Sequence, residues 1–320
     1  IGISAAGVVF VPAVHAIMPE LVAPARLKRA NGARSAGTQI ANLAGSAVGG
    51  ALYVLIGAPL IILANGISFF LSGLSETAIR IPRSDSGVRN PVRTGSVARS
   101  AGAGVRFLLH RRGIRGVVIV QALMNLLVPP LVVALPFVVT DTWSLTPDFF
   151  GYLFGAVLAG GVAGFVAFSG AKTSVRTESV LFRAGVPLMT LVVLALAWFT
   201  TSAGANSRFL LPALFLLMML AGAAVGVMHM IGVTSLQRAV PAPMRGRVFA
   251  ASEMMTPALL PVTYVVSGFL AEAFRSKPYV LFLIVAAAAS VLSAFVVFSR
   301  GIRDVFLDSA DVRGPTPEAP

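Results

Sequence analysis

The sequence predicts an all-α protein that crosses a membrane many times. Of its 320 residues, 57% are apolar and only 12% charged. Its mean hydropathy is +0.87, whereas a soluble domain is nearer half apolar and a quarter charged. The apolar residues fall in windows of about 20, the helix length that a hydrocarbon layer of about 30 Å requires. The charges collect between those windows, and mostly on one side. The windows lack the polar–apolar alternation of a membrane-spanning β-barrel. A backbone in lipid must satisfy itself, so they are read as helices.

Nine windows follow one another along the chain: Ile1–Met18, Thr38–Ile56, Pro59–Ile79, Gly116–Thr140, Phe149–Ala171, Ala184–Thr201, Phe209–Leu236, Val248–Ala271 and Pro278–Ser299. Prolines within them, such as Pro12, Pro130 and Pro257, kink a membrane helix without ending it. Between the third and fourth windows, 80–115 begins as a polar linker, RSDSGVRNPVRTGS, and ends in GVRFLLHRRGIRG. Two readings are open for that second half: an interfacial amphipathic helix or an arginine-rich solvated loop. The tail 300–320 ends in GPTPEAP and is expected to be disordered.

Orientation follows from Lys and Arg. Arg26, Lys28, Arg29 and Arg34, the nine arginines from Arg80 to Arg115, then Lys172, Arg176, Arg183, Arg238, Arg245, Arg247, Arg300, Arg303 and Arg313 fall on one side. Arg208, Arg275 and Lys277 fall on the other. The first side, with the C-terminus, is expected to be cytoplasmic. The net charge of +13 is therefore read as a topology signal and not as a nucleic-acid site. Arginine far outnumbers lysine, which points to a GC-rich bacterial genome and hence to the bacterial inner membrane.

Composition also speaks against an enzyme. There is no cysteine, which excludes disulfides, thiolate metal sites and cysteine catalysis. The three histidines, His15, His110 and His229, are far apart, with no metal-ligand spacing. No P-loop and no acidic pair on one helix face is present, so no cofactor, metal or catalytic group is expected.

An internal repeat organises the helices. With Val22 over Val240, Arg29 meets Arg247, Ala33 meets Ala251 and Gly50 meets Gly268. Both copies read as long span, short basic loop, long span, short turn, long span. The first three helices thus look like a parallel copy of the last three, as in transporters built from two related halves. On that logic 1–79 holds the last three helices of a first half, and 116–299 is a complete six-helix half. Roughly 100 residues carrying three more helices are then expected before Ile1.

Polar side chains at membrane depth are costly and so are candidates for function. Glu253 is the charged residue well inside a window. It either takes up a proton during transport or forms an interfacial pair with Arg245 or Arg247 that holds a gate closed. His229 is either a titrating group or a packing residue. Gln121 and Asn125 lie one turn apart on one helix face and either bind substrate or clamp two helices. Gln39, Asn42 and Asn65 are weaker candidates of the same kind. His15, close to Pro19, is expected to face water. Gly151, Gly155, Gly160 and Gly164 have the spacing of close helix packing. Met218, Met219, Met228 and Met230 are expected to fill core.

The stretches VPAVHAIMPELVAPARLKRANGARS, GSAVGGALYVLIGAPLIILANGISFFLSG, GVRFLLHRRGIRGV and SLQRAVPAPMRGRVFAASEMM resemble the major facilitator superfamily. The likeness is to its enterobactin-exporter-like and macrolide-efflux-like branch. The resemblance implies a major-facilitator-type bundle, with the nine spans as helices four to twelve of twelve. It also implies alternating access, with the seventh helix lining the central cavity. Gly32, Ala41, Gly45, Ser46, Gly49 and Gly50 fall at the spacings of that superfamily's exporter motif on the fifth helix, with Ser46 in place of its proline. In the family this helix packs on the eleventh. The loop GAKTSVRTE keeps Lys172 and Arg176 of the family's charged loop signature but lacks its aspartate.

The expected function is proton-coupled efflux of a small amphipathic compound, a drug or a siderophore, by a monomer among membrane lipids. The alternative is a non-transporting membrane fragment or an assembly or receptor module.

Overall fold

The computed structural model describes residues 13–23, 26–77, 97–201, 209–299 and 301–302. Among them the structure is helical, with no strand. Helix α1 covers 13–21. It is followed by α2 (Leu27–Glu76), α3 (Val97–His110), α4 (Arg112–Phe137), α5 (Asp148–Gly170), α6 (Val175–Phe199), α7 (Leu210–Ala239), α8 (Ala242–Ala273) and α9 (Pro278–Phe298).

Six stretches are long and apolar enough to cross a membrane: Leu55–Ser75, Gly113–Thr142, Asp148–Gly170, Val175–Phe199, Leu210–Ala239 and Pro278–Phe298. The remaining windows do not reach that standard among the described residues. Residues 1–12 of the first lie outside them, and α8 contributes only the shorter apolar run Leu259–Ala273. The exterior is apolar, as lipid demands. Phe70, Phe269, Val291 and Phe298 are each more than 70% exposed, the reverse of a water-soluble surface.

The second and third windows form one helix, α2, broken at Gly57, whose φ of 72° and ψ of 166° leave the helical region. Only glycine adopts such a conformation at low cost. The expected turn is therefore a single residue, and Pro59 is absorbed into the helical run that follows. Helix α4 accommodates Pro129, Pro130 and Pro136 and continues into a π-helical turn, Val138–Thr142. Trp143, just beyond it, donates from Nε1 to the carbonyl of Phe199 at 2.8 Å and ties the end of α4 to the end of α6.

Helix α6 begins at Val175, nine residues before the window that predicted it. The Ser174 hydroxyl accepts the Thr177 amide and caps the first turn, satisfying one of the amides left free at a helix start. Segment Val97–His110 is helical, with Leu108 buried. At Gly104 it meets the start of α8 so closely that a Cβ would strike the backbone of Arg247. Most of the preceding linker, 80–96, and the tail from 303 lie outside the described residues.

The tightest packing joins α5 to α7. A Cβ on Gly160 would collide with the Met219 carbonyl, and one on Gly222 with the Val157 carbonyl. At Gly164 a Cβ would lie 2.9 Å from the Ala223 carbonyl oxygen. Only small residues permit such backbone approach. Gly151 and Gly155, from the same spacing, meet nothing within 4 Å. Thus only the second half of the glycine series is used for packing.

Candidate functional site

A cavity of about 410 Å³ opens among α4, α5, α6, α7 and α9, with Gln39 of α2 on its wall. Its lining is apolar, with Leu131, Phe150, Phe154, Phe165, Val192 and Phe282 among its walls. Three polar side chains join them: Gln39, Asn125 and His229. Asn125 and His229 expose much of their surface there. Asn125 donates from Nδ2 to the carbonyl of Gln121 at 2.9 Å, one helical turn back. A few placed polar groups on an apolar wall are what a small-molecule site requires.

A buried polar seam connects α1 and α2 to α7 and α8. Asn31 on α2, 1% exposed, donates from Nδ2 to Gln237 Oε1 at 2.5 Å and to Thr234 Oγ1 at 3.0 Å, both on α7. Gln237 in turn donates from Nε2 to the carbonyl of His15 on α1 at 2.9 Å. The imidazole of His15 stacks on Phe249 of α8, with ring centres 5.3 Å apart. Its Nε2 lies 3.3 Å from Arg34 Nη2 and 3.9 Å from Glu253 Oε1. Arg34 and Glu253 also attract each other electrostatically. One histidine, one arginine and one carboxylate thus meet where two stretches of chain more than 200 residues apart come together.

A second charged cluster lies at the basic end of the bundle. Lys28 of α2 donates from Nζ to the Ala171 carbonyl at 2.7 Å and to Thr173 Oγ1 at 2.6 Å. The ammonium also sits 3.7 Å from the centre of the Phe168 ring, a cation–π contact. Thr173 Oγ1 donates to Glu178 Oε1 at 3.2 Å, and Arg238 Nη1 donates to Glu178 Oε2 at 2.8 Å. Burial lowers the Lys28 pKa below the ordinary lysine value, with Glu178 acting to raise it and Arg238 to lower it.

Several expectations require correction. His15 does not face water: it is 3% exposed, because Phe249 and Gln237 cover it. Among the described residues Glu253 pairs with His15, not with Arg245 or Arg247. Arg245 donates from Nε to the carbonyl of Val240 and is drawn electrostatically to Glu20, and its pKa is lowered by burial. Among the described residues the Arg247 guanidinium reaches the sulfur of Met244, at 3.9 Å. Gln121 does not line the cavity: it packs against Gly232 of α7 and clamps the two helices. Asn42 and Asn65 are exposed on α2 and lie away from the cavity.

The exporter-motif helix also packs differently from expectation. Gly32 meets Ser169 of α5 and Met230 of α7, the eighth and tenth helices of the implied twelve and not the eleventh. Ala41 is exposed and Gly45 meets nothing within 4 Å. The surroundings of Ser46, Gly49 and Gly50 lie outside the described residues. The stretch GAKTSVRTE lacks an aspartate, yet its own last residue, Glu178, supplies a buried carboxylate from the first turn of α6. Sequence reading missed Lys28, Asn31, Arg34, Thr234, Gln237 and Glu178. The one local signal was Asn31 and Arg34 on one helix face, a turn apart.

Apolar helices with a lipid-type exterior, gathered around a cavity, define an integral, multi-pass membrane protein. The family model of transmembrane secretion effectors, a group within the major facilitator superfamily, matches residues 1–316, and the chain belongs to that family. That membership makes transport its business and points away from enzymatic chemistry. Comparison with curated proteins found no match.

Proposed function

We propose that the chain is a secondary exporter that moves a small amphipathic compound out of a bacterial cell by alternating access. The observation that carries this reading is the buried seam Asn31–Gln237–His15, about two helical turns along α7 from His229 on the cavity wall. It joins the chain's first helices to its last ones by side chains that can part and rejoin. A transporter that opens alternately to two sides needs such a reversible closure next to its binding site. The two moving parts are 1–79 and 116–299, joined by 80–115, and all nine windows span the membrane in the working protein. The basic connections and the C-terminus face the cytoplasm of a monomer in the inner membrane.

Protons drive the cycle in this reading. Glu253 is a carboxylate inside a membrane window and meets His15 and Arg34 at the seam. A proton arriving on that cluster removes an attraction across the closure and favours its opening. The enterobactin-exporter-like and macrolide-efflux-like branch, on sequence resemblance, supplies the lean towards drugs or siderophores.

The test is substrate movement in inside-out vesicles with an imposed proton gradient, across a panel of drugs and siderophores, with Glu253→Gln as control. Gradient-driven movement that the substitution abolishes is the expected result. No movement of any compound would sink the reading.

A further inference from the structure

We infer that the cavity selects uncharged ligands, compounds with an apolar body and one amide-like or carbonyl hydrogen-bonding group, and rejects organic ions of the same size. The inference rests on the exporter reading and narrows its substrate. It starts from the lining. Among the described residues that form the wall there is no lysine, arginine, aspartate or glutamate. A buried ion without a counter-charge or full hydrogen bonding pays a heavy desolvation penalty, and this wall offers neither.

What the wall does offer is neutral hydrogen bonding. Gln39 has no side-chain partner among the described residues, so its donor and acceptor are both available to a ligand. The Nδ2 of Asn125 is taken by the Gln121 carbonyl, which leaves Oδ1 as a free acceptor. The ring nitrogens of His229 have no partner among the described residues either, and the side chain lines the cavity. Three polar side chains on one wall, each with at least one hydrogen-bonding atom left free, recognise a dipole. Beyond the wall, Arg34 and Glu253 carry opposite charges that act on each other and so offset one another towards a guest.

The volume agrees with a small organic molecule, since such sites run from about 300 to 1,000 Å³, and about 410 Å³ is present. Gln39 sets the selectivity. A Cβ on Gly161 would lie 3.3 Å from Gln39 Nε2, so the amide rests directly over the bare backbone of α5. An isosteric change there alters charge without altering shape.

The experiment uses the full chain in detergent and three naphthalene probes of matched size: an N-butyl naphthamide, a butyl(naphthylmethyl)ammonium cation and the carboxylate anion of 5-naphthylpentanoic acid. Binding is measured by equilibrium dialysis and movement in reconstituted vesicles. The uncharged amide should bind at least about tenfold more tightly than either ion, a difference of about 1.4 kcal/mol. Gln39→Glu should reverse the order of amide and ammonium, while Gln39→Leu should weaken the amide and gain nothing for the ammonium. Equal binding of an ion by the unsubstituted protein, or no binding of any probe, overturns the inference. If the amide binds selectively but never crosses the vesicle membrane, selectivity stands and the exporter reading falls.

Discussion

Gln237 donates its side-chain amide to the backbone carbonyl of His15, 2.9 Å away and 222 residues distant in sequence. The same amide's oxygen accepts from Asn31. One fully buried glutamine therefore holds α1 and α2 against α7. Its burial makes the bond matter, because a partner left unsatisfied away from water costs more than the bond itself contributes.

Substituting Gln237 by Leu should weaken the closure by about 2 kcal/mol, roughly a thirtyfold shift towards the open arrangement. The chain has no cysteine, so a single Met18→Cys reports cleanly on access from the basic side. Its reaction with a water-soluble maleimide should accelerate in the Gln237→Leu background. An unchanged rate would mean that the seam is not a gate.

Glu253→Gln should uncouple movement from the proton gradient while leaving probe binding within about twofold, since the residue does not line the cavity. The readout is substrate accumulation with and without the gradient, beside dialysis binding. His15→Asn should act in the same direction, because it removes the ring between Arg34 and Glu253. Retained coupling in both variants would leave the cluster a plain structural contact.

Glu178 is 3% exposed and faces Arg238 and, through Thr173, Lys28. Glu178→Gln leaves two cations without their carboxylate, a loss of about 3 kcal/mol on the scale of broken buried pairs. The unfolding midpoint in detergent should fall, and adding Arg238→Met should recover part of the loss. A double variant no better than the single would show that the cations are stabilised some other way.

Gly222→Ala should destabilise by about 2 kcal/mol or more, because its new methyl meets the Val157 backbone. Gly151→Ala, in open space, should stay within about 0.5 kcal/mol. Thermal unfolding of both variants, side by side, checks the pair.

Asn65→Leu and Asn42→Leu alter exposed positions on α2. Both should transport at the unsubstituted rate, measured with any compound the unsubstituted protein moves. A loss at either position would place α2's outer face in the substrate path.

Hydropathy located α4, α5, α7 and α9 to within a few residues, because an uninterrupted apolar run needs no knowledge of its neighbours. It failed where a polar residue is buried by pairing. Arg176, Glu178 and Arg183 make the start of α6 look aqueous, yet Glu178 is covered by Arg238, a residue 60 positions later. His15 was misplaced for the same reason: its covers, Gln237 and Phe249, come from the far end of the chain. Of the cavity's polar groups, Gln39, Asn125 and His229 were legible as polar residues in apolar windows. Nothing local could say that they share a wall while Asn42 and Asn65 do not.

Helices α5 and α7 touch through bare backbone at Gly160 and Gly222, whereas α2, beyond its close side-chain contact at Gly32, meets its neighbours through Lys28, Asn31 and Arg34. The two kinds of joint have different mechanics. Backbone against backbone has no rotamers to change, so sliding one helix past the other would drive carbonyl groups through each other. Long polar side chains can swing, exchange partners and swing back. The texture of these joints therefore favours slip at the polar contacts of α2 over slip between α5 and α7, which are joined like a welded plate.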